Sequence, residues 1–141
     1  MAIETLYLAD TSAWHRSQDE SISHIWASRL GEDTLGTCAQ VRLEILFSAR
    51  SLRDYEQLAT ELLSLHQFPC GSEEFDRALE VQRRLAVKSA LHHRSVKIAD
   101  LIIAASAEAA SAVLWHYDED FDRITALTRQ PTEWLAPRGT F

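Results

Sequence analysis

Short apolar and β-branched runs alternate with stretches of helical periodicity along most of this chain, and that alternation limits the possible folds more than any other feature. Ile3 to Ala9 is one such run; it stops at Asp10-Thr11-Ser12, where Ser12 or Thr11 is placed to cap a helix. Ser21 to Leu30 carries Ile22, Ile25, Trp26, Ala27 and Leu30 at helical spacing before Gly31. Thr34 to Thr37 reads as a second, weak strand because of Gly36, and Cys38 to Ala49 and Leu52 to Leu65 as helices. The second of these helices has an apolar face of Leu52, Tyr55, Leu58, Ala59, Leu62 and Leu63. Leu65 to Pro69 reads as a short edge strand, and a long helix opens at Gly71-Ser72 with a stripe through Phe75, Leu79, Val81, Leu85 and Leu91. Ile98 to Ala112 is strongly apolar and helical, Val113 to Trp115 is a strand finishing near His116-Tyr117, and Asp118 to Leu127 returns to helix. A short edge strand around Trp134 closes the series. Strands that alternate with helices imply a parallel sheet covered on both faces, with its site beyond the carboxyl ends of the strands.

The length of 141 residues fits one domain spanning 1–141, large enough to bury a core without staples. With 46% hydrophobic and 25% charged residues, four Gly and three Pro, the chain is neither collagenous, disordered nor low in complexity. Its longest apolar run, Leu101 to Ala105, is far short of the roughly 20 residues that cross a bilayer, and Met1 to Ala9 is no leader, so the expectation is a cytoplasmic protein without a membrane partner. Cys38 and Cys70 lack metal or disulfide spacing and read as free, buried thiols. A net charge of −7 argues against wrapping of nucleic acid by the whole surface, while leaving room for a local basic patch.

Among 21 acidic residues, position separates four. Asp10 and Asp118 follow directly on predicted strands that end near Ala9 and Tyr117. Asp100 lies in Ile98-Ala99-Asp100-Leu101-Ile102-Ile103-Ala104-Ala105, and Glu44 has Val41 and Phe47 three residues away on either side. A carboxylate on a buried helix needs a partner or takes up a proton. Taken singly, Glu44 pairing with Arg42 and Asp100 with Lys97 as structural ion pairs is an adequate explanation. Taken together, the four converge naturally on one place, where a shared proton or a hard divalent cation relieves their repulsion. Oxygen-only ligands suit Mg2+ or Mn2+ rather than zinc, and such ions support in-line displacement at a phosphodiester.

In order and spacing, Leu8-Ala9-Asp10-Thr11-Ser12-Ala13, Arg42-Leu43-Glu44-Ile45-Leu46, Ala99-Asp100-Leu101-Ile102-Ile103-Ala104-Ala105 and His116-Tyr117-Asp118-Glu119-Asp120-Phe121-Asp122-Arg123-Ile124 resemble the signatures of PIN-domain ribonucleases. More narrowly they are similar to VapC-type toxins of bacterial toxin–antitoxin pairs, as is the ending Glu133-Trp134-Leu135-Ala136-Pro137-Arg138-Gly139. The resemblance implies a PIN-like three-layer α/β fold, a short parallel sheet of four to five strands flanked by helices. It makes Asp10, Glu44, Asp100 and Asp118 the catalytic and metal-binding quartet for Mg2+ or Mn2+, Asp120 a second-tier ligand, and Ser12 the supporting hydroxyl. It further implies cleavage of single-stranded or looped RNA to 5′-phosphate and 3′-hydroxyl ends, neutralisation by a cognate VapB-like antitoxin, and a homodimer. Arg50 to Leu91 is the weakest match.

Arg77, Arg83, Arg84, Lys88, Arg94 and Lys97 concentrate basic charge in one stretch. Arg84, Lys88 and Arg94 are the candidates for gripping substrate phosphates; a solvated helix face pairing with Glu73, Asp76 and Glu80 is the plainer alternative. His116 and His92-His93 lack zinc-site spacing and read as partly buried hydrogen-bonding groups. Trp14 and Trp26 fit core or partner packing better than base stacking. A catalytically inactive PIN-like binding module is the competing function, whereas a phosphoaspartate enzyme is disfavoured because Ser12 stands where a second Asp is required.

Overall fold

The computed structural model describes residues 4–141, so Ile3, the head of the first expected strand, lies outside the described residues. In chain order the elements are β1 (Tyr7–Ala9), α1 (Thr11–Trp14), α2 (Glu20–Gly31), β2 (Leu35–Thr37), α3 (Ala39–Phe47), α4 (Leu52–Leu63), β3 (His66–Gln67) and α5 (Ser72–Lys88). A 3-10 turn (His92–Ser95), α6 (Ile98–Ala109), β4 (Val113–His116), α7 (Asp120–Thr128) and β5 (Thr132–Trp134) follow. The five strands form one sheet in the order β3-β2-β1-β4-β5, and every pairing is parallel. This is the α/β fold expected of the sequence, at the upper end of the expected strand count.

β1 is the centre of the sheet because its residues Leu8 and Ala9 are buried and can be covered from both faces. The chain first builds outward through β2 and β3, then crosses to the other side of β1 for β4 and β5. The register Ala9↔Trp115 brings the exits of β1 and β4 side by side, and Asp10 N–H continues the ladder to the Trp115 carbonyl at 2.9 Å. That reversal of direction is the point at which α/β sheets open a crevice. α6 packs over the sheet with every residue from Asp100 to Ala107 buried, which accounts for its almost uninterrupted apolar sequence. Each fully buried Leu or Ile there contributes about 1.5–3 kcal/mol relative to exposure. On another part of the core, Trp26 stacks on Trp115 at 5.4 Å and meets Trp14 edge-on at 5.5 Å, so Trp26 is a packing residue.

Several expectations are corrected. The N-cap of α1 is Asp10, not Ser12 or Thr11: its carboxylate accepts the Ser12 N–H, a stronger charge-assisted bond than a hydroxyl offers. β3 is two residues long, and Ile98 to Ala112 ends as a helix at Ala109. The stripe of α5 is rotated: Glu74, Ala78, Val81 and Leu85 face inward, whereas Phe75, Leu79 and Leu91 are exposed. Small Ala78 allows the close approach to α6, and Glu74 is buried because its carboxylate accepts the Gly71 N–H at 2.8 Å as part of the helix cap. α4 likewise buries only Leu62 fully, leaving Leu52, Tyr55 and Leu63 exposed. Cys38 is buried and Cys70 half-buried, and both are free thiols.

Gly36 in β2 is required by its neighbour, since a Cβ there would overlap the Phe68 ring. Gly36→Ala is expected to cost about 1–3 kcal/mol, the usual range for overpacking. The loss should be smaller in a Phe68→Leu background, as measured by a double-mutant cycle in urea.

Candidate active site

Parallel strands all exit at one end, so residues directly after β1 and β4 meet without any further device. Asp10 leaves β1 and Asp118 follows β4; Asp100 and Asp120 occupy the first turns of α6 and α7, where the helix dipole favours negative charge. Asp10, Asp100 and Asp120 are buried, while Asp118 and Glu44 are half-buried. Ser12 ties the two strand exits together. Its hydroxyl donates to Asp10 Oδ2 at 2.6 Å and accepts the Tyr117 N–H at 2.8 Å, and its own N–H donates to the same carboxylate oxygen at 3.0 Å. Asp118 Oδ1 accepts the Asp120 N–H at 2.9 Å, and the Asp118 N–H donates to His116 Nδ1 at 3.1 Å.

Carboxylate oxygens of Asp100, Asp118 and Asp120 lie within 4.8 Å of one another, the only such acidic, His or Cys grouping among the described residues. Lys97 lies over them, its Nζ 2.8 Å from Asp118, 3.0 Å from Asp120 and 3.3 Å from Asp100, although the Asp100 contact lacks hydrogen-bond alignment. Burial opposes charge on Lys97, but hydrogen bonds to Asp118 and Asp120 and the neighbouring charges outweigh it and raise the pKa. For Asp120, the bonds from Lys97 likewise outweigh burial and lower it. At the other two acids burial prevails, over the Ser12 bonds at Asp10 and over the charge of Lys97 at Asp100. Burial pushes Asp100 up to about 8, helped by the charge of Asp10 and by Asp120. It pushes Asp10 up to about 6, with Glu44 adding repulsion and the Ser12 bonds resisting. Asp10 Oδ1 and Asp100 Oδ2 are buried without a hydrogen-bond partner. Two orphaned oxygens among all-oxygen donors fit a hard divalent cation.

Three of the sequence-derived acids, Asp100, Asp118 and Asp120, thus form one cluster, and Asp10 stands near enough for its charge to be felt at Asp100. Glu44 stands at its side: Oε1 accepts from Thr11 Oγ1 at 3.2 Å and Oε2 from Gln40 at 3.1 Å, and its charge is felt at Asp10. Arg42 is not its ion-pair partner. The pairing of Asp100 with Lys97 does exist, shared among three acids. Arg84, Lys88 and Arg94 are exposed, and Arg84 donates to the Leu127 carbonyl at 3.1 Å, near the far end of α7 from Asp120. Arg77 binds Glu108 and Glu80, as the solvated-face alternative has it for that residue. His116 is fully buried between Phe121 and Trp134, and burial pulls its pKa down to about 4. Two residues not singled out as functional stand beside the acids: Lys97, weighed as an ion-pair partner or phosphate contact, and Arg16, whose only signal is its position one turn beyond Ser12.

Comparison with known proteins places this geometry in context. The PIN domain profile matches residues 7–127. Ribonuclease VapC18 of Mycobacterium tuberculosis is 53% identical over 135 residues, covering 96% of this chain and 98% of that protein. Ribonuclease VapC21 of the same species is 41% identical over 137 residues, with 96% and 98% covered. Among solved structures, the fold recurs in a chain of DNA-bound VapBC from Salmonella typhimurium, with TM-score 0.75, 17% identity, and 94% of this chain and 100% of that one covered. VapBC2 from Rickettsia felis bound to a promoter DNA fragment gives TM-score 0.71 at 18% identity, covering 92% and 98%.

The raised pKa values of Asp10 and Asp100 fix the sign of a pH effect. Below about pH 4 both acids are protonated folded or unfolded; as pH rises to about 8, the unfolded chain ionises first and the metal-free fold loses stability. Differential scanning fluorimetry in EDTA should show Tm falling from pH 5 to 8.5, and falling less in Asp100→Asn. Added Mn2+ should raise Tm more at pH 8 than at pH 5.5, because ligation needs the ionised acids. Lys97→Met should lower the metal-free Tm and enlarge the Mn2+ increment, since the ammonium competes for the same oxygens.

Proposed function

This chain belongs to the PIN-domain family, with the sequence of a VapC-type toxin, and from that we propose that it is the endoribonuclease of a type II toxin–antitoxin pair, hydrolysing RNA phosphodiester bonds with Mg2+ or Mn2+. The observation that carries this is the pair of buried, unpartnered carboxylate oxygens on Asp10 and Asp100 beside Asp118 and Asp120. A fold keeps such buried acids, each with an oxygen lacking a hydrogen bond, where a ligand offsets their cost.

Asp10, Asp100 and Asp118 hold the ion, with Glu44 and Asp120 completing the acidic ring. Ser12 fixes the Asp10 rotamer, so the carboxylate presents its free Oδ1 to the pocket. His116 accepts the Asp118 N–H and so sets the turn that aims Asp118. When bound, the divalent ion polarises the phosphodiester, lowers the pKa of attacking water and stabilises the leaving oxygen. No nucleophilic side chain is needed, consistent with the absence of any Ser-His or Cys-His pairing among these residues. Lys97, an exposed residue, neutralises Asp118 and Asp120 and would compete with a divalent ion for their oxygens. Arg84, Lys88 and Arg94 are exposed and free to meet RNA phosphates away from the acids, Arg84 near the far end of α7 from Asp120.

The structural neighbours are VapBC complexes, which supports a VapB-like antitoxin as the partner. A cavity of about 770 Å³ between α2 and α4, lined by Trp14, Trp26, Leu30, Leu58 and Leu65, gives such a partner an apolar seat. Residues 1–141 act as one domain, as a homodimer in the cytoplasm; no helix among the described residues is long and apolar enough to cross a membrane.

The second reading, an inactive binding module, is favoured by one observation, the ammonium of Lys97 already seated on three acids. The two part on a single experiment. Purified antitoxin-free protein should cleave total cellular RNA with Mn2+, and Asp10→Asn or Asp100→Asn should each lower the rate by more than the roughly 10–100-fold that loss of a supporting hydrogen bond costs at a metal site. Both variants should relieve growth arrest on expression and remain folded by circular dichroism; no cleavage by the unmodified protein would favour the binding module.

A further inference from the structure

Arg16 occupies a position that neither the fold nor the acidic ring requires. Its Nη1 donates to the Ser12 carbonyl at 2.9 Å, its guanidinium lies 4.6 Å from the Tyr117 ring centroid and 5.6 Å from that of Phe141. Phe141 is itself held there by its N–H donating to the Tyr117 hydroxyl at 2.8 Å, with the two rings edge-to-face at 5.2 Å. Among the described residues Arg16 has no carboxylate partner, in contrast to Arg29, Arg77, Arg123 and Arg138. Its other nitrogens make no hydrogen bond, yet none is a buried orphan, so they face solvent. One edge of the guanidinium is therefore anchored and the group lies over the Tyr117 ring with Phe141 alongside, while its other nitrogens make no hydrogen bond.

Location gives this fork a purpose. Ser12 binds Asp10 and the Tyr117 N–H, and Tyr117 directly precedes Asp118, so Arg16 is one residue removed from each of the two acids at the strand exits. The pocket beside it is crowded with carboxylates that repel a phosphodiester backbone, and a cation at its rim offsets that repulsion. A planar, pre-positioned guanidinium matches the paired oxygens of a phosphate, and the adjoining Tyr117 and Phe141 faces tolerate any base.

We propose that Arg16 is a substrate-binding residue that grips an RNA phosphate flanking the scissile one, with Tyr117 and Phe141 as the platform that holds its guanidinium in plane. This rests on the ribonuclease function proposed above. Arg16 touches no acid of the ring, so its removal leaves the metal site intact and acts on the RNA alone.

The test uses the full chain carrying Asp100→Asn to prevent cleavage, a randomised 12-nucleotide single-stranded RNA as probe, and fluorescence anisotropy across a series of salt concentrations. Arg16→Gln should weaken binding about tenfold at low salt and flatten the log Kd against log salt slope by about 0.7, the value for one phosphate contact on a single strand. In the cleavage-competent chain the same change should raise KM with little effect on kcat, and the Mn2+-induced Tm increment should be unaltered. Arg16→Lys, which restores charge without the fork, should recover the salt slope but only part of the affinity. An Arg16→Gln protein with the parental Kd and salt slope overturns the proposal, as does a loss of cleavage accompanied by a smaller Mn2+ increment, which would make Arg16 a support for Ser12 and Asp10. Failure of the parental protein to bind or cleave RNA overturns the ribonuclease function as well, which separates the two.

Discussion

Carboxylates forced together out of water are the constraint around which this protein is built. Asp10 and Asp100 are almost wholly buried, and each retains an oxygen with no hydrogen-bond partner. The surrounding contacts are graded responses to that problem. Ser12 supplies two bonds to Asp10, the helix start of α6 supplies a favourable dipole to Asp100, and Lys97 supplies a formal charge to Asp118 and Asp120. None of them gives the two oxygens a hydrogen bond, although the Lys97 ammonium lies 3.3 Å from Asp100 Oδ2. The fold thus holds a cation-shaped deficit at a fixed place and carries its cost in the rest of the core.

That core is organised to make the deficit affordable. The central strand β1 and its neighbour β4 are enclosed by α6 on one face and by the Trp26–Trp115 stack on another part of the core, with Arg29 lying 3.8 Å from the Tyr7 ring centroid and 4.3 Å from that of Trp115. Arg29 also pairs with Glu133 at 2.7 Å, which links α2 to the edge strand β5. The paired strand exits set Asp10 and Asp118 on neighbouring turns, which Ser12 ties together through Asp10 and the Tyr117 N–H.

Much of this was legible in the residues themselves. Short runs punctuated by acids gave both the parallel sheet and the end at which its pocket opens, and the apolar flanks of Asp100 marked it as an acid in need of compensation. What escaped was the rotational phase of helices whose burial is decided by tertiary neighbours. In α5, Phe75 and Leu79 outrank Ala78 and Glu74 in hydrophobicity, yet the close approach of α6 selects the small residue and a capping carboxylate. Local pattern also could not identify Arg16, because an arginine after a short helix is ordinary until Tyr117 and Phe141, more than a hundred positions away, are known to enclose it.

The pairing of β1 with β4 joins residue 7 to residue 113. During synthesis the amino-terminal strand must wait, unpaired on that side, until Val113 to His116 have emerged, and such long-range closure is intrinsically slow. The carboxylates of Asp10 and Asp118, carried on the exits of those two strands, consequently come together only once that long-range pairing closes.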